Sequence, residues 1–224
     1  MPETEKPVIF DVEVFPNLFV VCWKYTGSTE VVRLVNPSAQ EIEDLLALKL
    51  IGFNNKKYDN HMLYARLIGF NNAELYEASK RIIDGSPNAY FREAYNLSYT
   101  DIFDFSAKKQ TLKKWEIELG LHHSELGLPW DEPVPEELWD KVVDYCVDDV
   151  EGTDGVFQHL KADFIARQIL ADFSGLSVNS STQQHTARIV FGTDRNPQGK
   201  FKYTELAELF PGYEYKYNET SKRM

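Results

Sequence analysis

Polar and apolar positions alternate from the start of the chain. In Val8-Ile9-Phe10-Asp11-Val12-Glu13-Val14 a strand turns Asp11 and Glu13 to one face and Phe10, Val12 and Val14 to the other. Phe15-Pro16-Asn17 interrupts this strand, since proline cannot donate in a central ladder. Residues 18–25 predict a second strand, Thr26-Gly27-Ser28 a turn, and residues 30–35 a third, giving an antiparallel meander. Ser38 with Glu41 three residues on predicts a capping box, opening a helix with Ile42, Leu45, Leu46 and Leu48 inward. Leu50-Ile51-Gly52-Phe53 has the form of a short buried strand.

A polar turn over 54–57 precedes a helix expected over 58–68, then a helix and an irregular loop within 71–87. A strand is expected over 97–105 and an amphipathic helix over 111–119, ended by Gly120. After a loop at 122–133, Pro135 opens one or two helices reaching about Phe173, with Gly175 ending them. A meander followed by alternating helices and strands predicts an α/β domain over 1–173 with a mixed sheet flanked by helices. Residues 174–224 are polar and weakly periodic, and predict an appendage or linker.

Composition narrows the class. The chain has 224 residues, and 43% of them are hydrophobic, enough for a sizeable core. A net charge of −11 argues against a broadly basic nucleic-acid binder but leaves room for a local basic track. Cys22 and Cys146 are far apart and form no C-x-x-C, so neither a disulfide framework nor a zinc site is expected. The polar N-terminus lacks a secretory pattern, and no apolar run is long enough for a bilayer. The expectation is a soluble cytoplasmic protein without a membrane partner.

Three stretches carry candidate chemistry. Asp11 and Glu13 share a face near a strand end, where two acids lose hydration and repel unless cations sit between them. The plain alternative is a strand with two solvated acids. Asp59 follows a buried strand at a helix start, where an acid also serves as a first-turn residue. Asn54, Asn55, Lys56 and Lys57 beside it are placed to meet an anionic chain. Tyr145 and Asp149, four apart, share a helix face, with Asp144 and Asp148 nearby on an acidic stretch.

Asp11-x-Glu13, then Asn55-x-x-Tyr58-Asp59 within Gly-Phe-Asn-Asn-x-x-Tyr-Asp, then Tyr145-x-x-x-Asp149, in that order, resemble the ribonuclease H-like 3′–5′ exonucleases of the DEDD superfamily, tyrosine (DEDDy) branch. The histidine branch carries a His five residues before the last Asp, where this chain has Asp144. The wording around Asn55 and Cys146 is similar to proofreading domains of phage B-type DNA polymerases, and parts of 176–213 are similar to what precedes a polymerase palm. No palm motif follows, so a free-standing exonuclease, or the exonuclease part of a split or shortened polymerase, is expected.

The resemblance implies hydrolysis of single-stranded DNA 3′ ends with two divalent cations, Mg²⁺ or Mn²⁺. It implies that Asp11 bridges the ions, Glu13 and Asp149 complete the water-activating site, Asp59 serves the other ion and Tyr145 orients the water. Phe15 and Tyr58 are candidates to stack or wedge bases, with core packing as the alternative. Lys108, Lys109, Lys113 and Lys114 form a basic cluster around Thr111. His122, His123 and His185 are expected in loops, His61 on a surface helix position, and Asp101 and Asp104 in structural roles. A ribonuclease D-like enzyme on RNA, or a non-catalytic module bound to a separate DNA polymerase chain, are the competing readings.

Overall fold

The computed structural model describes residues 6–194, 196–200 and 204–214. Strands β1 (Val8–Phe15) and β2 (Leu18–Tyr25) pair antiparallel along their whole length, from Val8 opposite Tyr25 to Phe15 opposite Leu18. Phe15 therefore belongs to the strand, and only Pro16 and Asn17 make the turn. β3 (Val32–Val35) starts two residues later than the apolar pattern predicts and pairs with β2 at the sheet edge. Helix α1 (Ala39–Leu46) begins with the expected Ser38–Glu41 capping box and leads to β4 (Leu50–Gly52), parallel to β1. Helices α2 (Asp59–Leu67) and α3 (Asn72–Ile83) lead to β5 (Thr100–Asp101), parallel to β4.

The sheet order is β3-β2-β1-β4-β5, a five-stranded mixed sheet. This is the expected α/β class, in an arrangement consistent with a ribonuclease H-like domain. The strand expected over 97–105 is corrected to two residues. Asp101 accepts the Phe103 N–H and so caps α4 (Ile102–Phe105), which turns the apolar residues into helix directly after β5. α5 (Leu112–Leu119) is capped by Thr111 and stopped by Gly120 at φ 66°. The long helical stretch is two helices, α6 (Trp139–His159) and α7 (Lys161–Ser174), with Gly175 ending the second at φ 66°.

Each face of the sheet buries its own core. Val8, Phe10, Val12 and Val14 pack with α1, α2 and α3 through residues such as Ile42, Met62, Leu63 and Leu75. Ile9 and Phe15 pack on the other side with Trp115, Val142, Cys146 and Phe164 of α5, α6 and α7. Asp11 and Glu13 thus face the α6 layer. A buried clamp ties α6 to the sheet: Lys24, 3% exposed, meets Glu151 at 2.5 Å and Asp154 at 3.1 Å.

Past Ser174 the described part of the expected appendage contains helices. α8 (Thr182–Phe191) starts with a Ser181–Gln184 capping box and packs on α7, and a short α9 (Leu206–Leu209) follows. His185 is not in a loop: it is fully buried on α8, with Nδ1 2.7 Å from Ser174 Oγ. Residues 195, 201–203 and 215–224 of the expected appendage or linker lie outside the described residues.

Candidate metal centre

β4 pairs with β1 only at Val8 and Ile9, so beyond them the β4 side of β1 is open. The N–H groups of even-numbered β1 residues face that side, as Val8 does in donating to Lys49 O at 2.9 Å. Asp59, at the start of α2, fills part of the gap: its carboxylate accepts the N–H of Val12 and its own N–H. The turn that delivers Asp59 is fixed from beneath. Buried Asp101 accepts N–H from Asn54 at 2.8 Å and from Lys56 at 3.1 Å, the structural role expected of it. A Cβ on Gly52 would lie 2.7 Å from Asn55 Cβ, so only glycine allows the turn to close this tightly.

From the other side α6 lies across β1. Cys146 rests against the strand, its Sγ 3.5 Å from Asp11 O, so Tyr145 and Asp149 on either side of it face the acids. Carboxylate oxygens of Asp11, Glu13 and Asp149 all lie within 4.8 Å of one another. The Tyr145 hydroxyl donates to the Asp149 carboxylate, which the four-residue spacing allows. Asp59 stands outside this close trio but within electrostatic range of Asp11 and Glu13.

Burial and mutual repulsion dominate the electrostatics. Loss of hydration, then the neighbouring charges of Asp59, Asp149 and Glu13, push the Asp11 carboxyl well above the usual range. Glu13 is raised for the same reasons, with Asp149 its strongest charged neighbour. Burial lifts Asp59 to about 7, against the pull of its two backbone hydrogen bonds. Burial and the charge of Glu116 lift Asp149 to about 6. Burial, then the charge of Asp149, raises the Tyr145 hydroxyl, which stays protonated as a donor.

α5 and the loop after it pack on α6 beside Asp149. Glu116 of α5, 2% exposed, lies over α6 where Gly152 leaves space, since a Cβ there would fall 2.0 Å from Glu116 Oε1. His123 Nδ1 is 2.8 Å from Glu116 Oε2, and on the same loop the Ser124 hydroxyl donates to Asp148 at 2.7 Å. His123, expected as a plain loop residue, also meets Glu116, a residue outside the sequence motifs. Gly152 was the available signal, because a glycine inside a long helix costs about 1 kcal/mol and calls for a close approach.

The nucleic-acid candidates divide. Phe15 is 3% exposed within the α6-side core and offers no face to a base, which corrects the stacking expectation. Asn55 is fully buried and donates to Asn60 and Ser98 at 2.8 Å, so it braces the turn instead of meeting solvent. Tyr58 packs in the α1–α3 layer with its hydroxyl 2.6 Å from Ser79, and the packing alternative holds for it. Lys56 is held by Asp104 at 2.6 Å. His61 is corrected from surface to core: Nδ1 accepts from Phe91 N–H, so Nε2–H donates to Lys56 O at 3.0 Å.

Asn54 does line an open cleft of about 500 Å³, with Phe53, Lys57, Phe103, Lys109 and Thr111. The ammonium groups of Lys57 and Lys109 lie 5.5 and 5.0 Å from the Phe103 ring centre. Lys57 and Lys109 are legible as cations in the sequence, whereas the meeting of Phe53 and Phe103 joins residues from the ends of two different strands.

No protein-family model, curated protein or solved structure matches this chain. The resemblance drawn from the motifs therefore rests on those residues and on their placement. The donor set suits a hard divalent cation: it is all carboxylate oxygen, with no cysteine or histidine among the three close ligands. Its members are half-buried acids that repel one another, and a bound cation would offset that repulsion.

Proposed function

We propose that the protein is a metal-dependent 3′–5′ exonuclease that removes nucleoside monophosphates from single-stranded DNA ends. The observation that carries this reading is the convergence of Asp11, Glu13 and Asp149 within 4.8 Å, with the Tyr145 hydroxyl on Asp149. Asp11, Glu13 and Asp149 would hold one Mg²⁺ or Mn²⁺, and Asp59 with Asp11 a second. Bound divalent cations lower the pKa of an attacking water and neutralise charge on the scissile phosphate.

The chain's own groups do the rest. Tyr145 keeps its proton, so its hydroxyl can hold a water by its lone pair and aim it at the terminal phosphodiester. Glu116, partnered by His123, packs closely over Gly152 on the helix that carries Asp149. The cleft at Phe53, Asn54, Lys57 and Phe103 opens beside the turn that carries Asp59 and offers cations and aromatic surface to the strand entering the site. This local basic track supplies phosphate contacts that the net charge of −11 does not. A separate polymerase chain as partner belongs to the same proposal, as the context in which such an activity serves proofreading.

The test is digestion of 3′-labelled and 5′-labelled single strands of DNA and matched RNA with Mg²⁺ or Mn²⁺, beside Asp11→Ala. The expected result is a DNA ladder shortening from the 3′ end, absent in the variant and with EDTA. Preference for RNA would move the substrate to the ribonuclease D kind. A folded protein that cuts neither would overturn the enzyme reading.

A further inference from the structure

At the opposite end of the sheet, where β1, β4 and β5 begin, a second cleft of about 480 Å³ opens between the sheet and α7. Its lining includes Lys6, Lys49, Lys161, Phe164 and Ile165 and contains no acid, in a chain whose net charge is −11. Among the described residues, no carboxylate pairs with any of these three lysines. Ile165 also starts an exposed apolar stripe along α7: Ile165, Ile169 and Phe173, one helical turn apart, are 45%, 49% and 78% exposed. The stripe and the cleft form one surface, apolar along its length and cationic at one end.

We propose that this surface docks an acidic segment of a partner protein, with large apolar side chains in the cleft and along α7 and carboxylates on Lys6, Lys49 and Lys161. Charge complementarity selects an anionic occupant. A nucleotide fits the cleft less well, because the aromatic rings that line it are covered by their neighbours. Lys49 lies over the Tyr99 ring at 5.8 Å, the Tyr99 edge meets Phe164 at 6.1 Å, and Phe157 and Phe164 are each 3% exposed. The length of the stripe also exceeds what a small anion would use. The proposal is independent of the hydrolysis reading, since none of these residues belongs to the metal centre.

The experiment selects binders from a displayed library of short random peptides, then measures a fluorescein-labelled winner by anisotropy. The expected winners are rich in Asp and Glu with two or more Leu, Ile or Phe. Binding should weaken at least tenfold in Lys49→Glu/Lys161→Glu and in Ile165→Asp, and several-fold as NaCl rises from about 50 to 200 mM. Lys49→Gln/Lys161→Gln gives the same answer with less disturbance, and circular dichroism verifies that each variant folds. Neutral or basic winners, or acidic winners unaffected by these substitutions, would overturn the proposal. So would a self-association lost in Ile165→Asp, which assigns the face to a second copy. Loss of oligonucleotide binding in the lysine variants, with peptide binding intact, would assign the cleft to nucleic acid instead.

Discussion

Replacing Asp59 by Asn should stabilise the metal-free protein. Asp59 is 8% exposed and lies near Asp101 as well as Asp11, Glu13 and Asp149, and burial and these charges raise its pKa to about 7 against 3.8 for a free side chain. Between those values the folded state holds a proton that the unfolded state has released. The stability this proton supports is complete below about pH 4 and lost as pH rises through 7. A shift of about 3 units corresponds to about 4 kcal/mol. Neighbouring carboxyls that keep their own protons share the relief, which leaves about 2–4 kcal/mol for the substitution. The Asn oxygen still accepts the Val12 N–H, so the change removes charge while keeping shape. Urea unfolding in EDTA should show Asp59→Asn more stable than wild type by that amount at pH 8, or about 6–12 °C in Tm. The difference should vanish near pH 4. Saturating Mn²⁺ should stabilise wild type more than the variant, because a ligand that binds only the folded state raises its stability. A variant equally or less stable at pH 8, or a gain that persists at pH 4, would refute the electrostatic account.

Other substitutions probe separate parts of the structure. Tyr145→Phe should lower hydrolysis by about 10²-fold while leaving the Mn²⁺-induced thermal shift in place, measured on labelled single strands. Gly152→Ala should destabilise by about 1–2 kcal/mol in denaturant unfolding, because displacement of Glu116 outweighs the roughly 1 kcal/mol helix gain. Lys24→Met should cost about 3 kcal/mol by leaving buried Asp154 without its cation, and a loss below about 1 kcal/mol would contradict the clamp. Phe103→Ala should weaken binding of a short single strand in Ca²⁺ by about 1–3 kcal/mol, with unchanged affinity refuting the strand path.

What the sequence made legible was local. Ser38 with Glu41, Thr111, Gly120 and Gly175 mark helix ends because capping is decided within a few residues. The alternation at Asp11 and Glu13, and the four-residue spacing of Tyr145 and Asp149, fixed which side chains share a face. What they face depends on how α6 crosses β1, and no local pattern encodes that. The same holds for Lys24, whose partner Glu151 is 127 residues away, and for Asn55, buried against Ser98 from a distant loop. His61 looked like a surface residue because its hydrogen-bond partners are both backbone groups, one of them 30 residues away. The run at 97–105 looked like a strand because apolar content alone does not reveal that Asp101 caps a helix. The Ser181–Gln184 capping box was readable and would have placed His185 on a helix.

The most direct measurement of the central claim is anomalous diffraction from crystals soaked in Mn²⁺ with a short DNA single strand bearing a non-hydrolysable 3′-terminal linkage. The account predicts Mn²⁺ density among Asp11, Glu13 and Asp149, a second peak about 4 Å away toward Asp59, and the strand's 3′ end at these ions. Crystals in which saturating Mn²⁺ leaves these acids without density would contradict it.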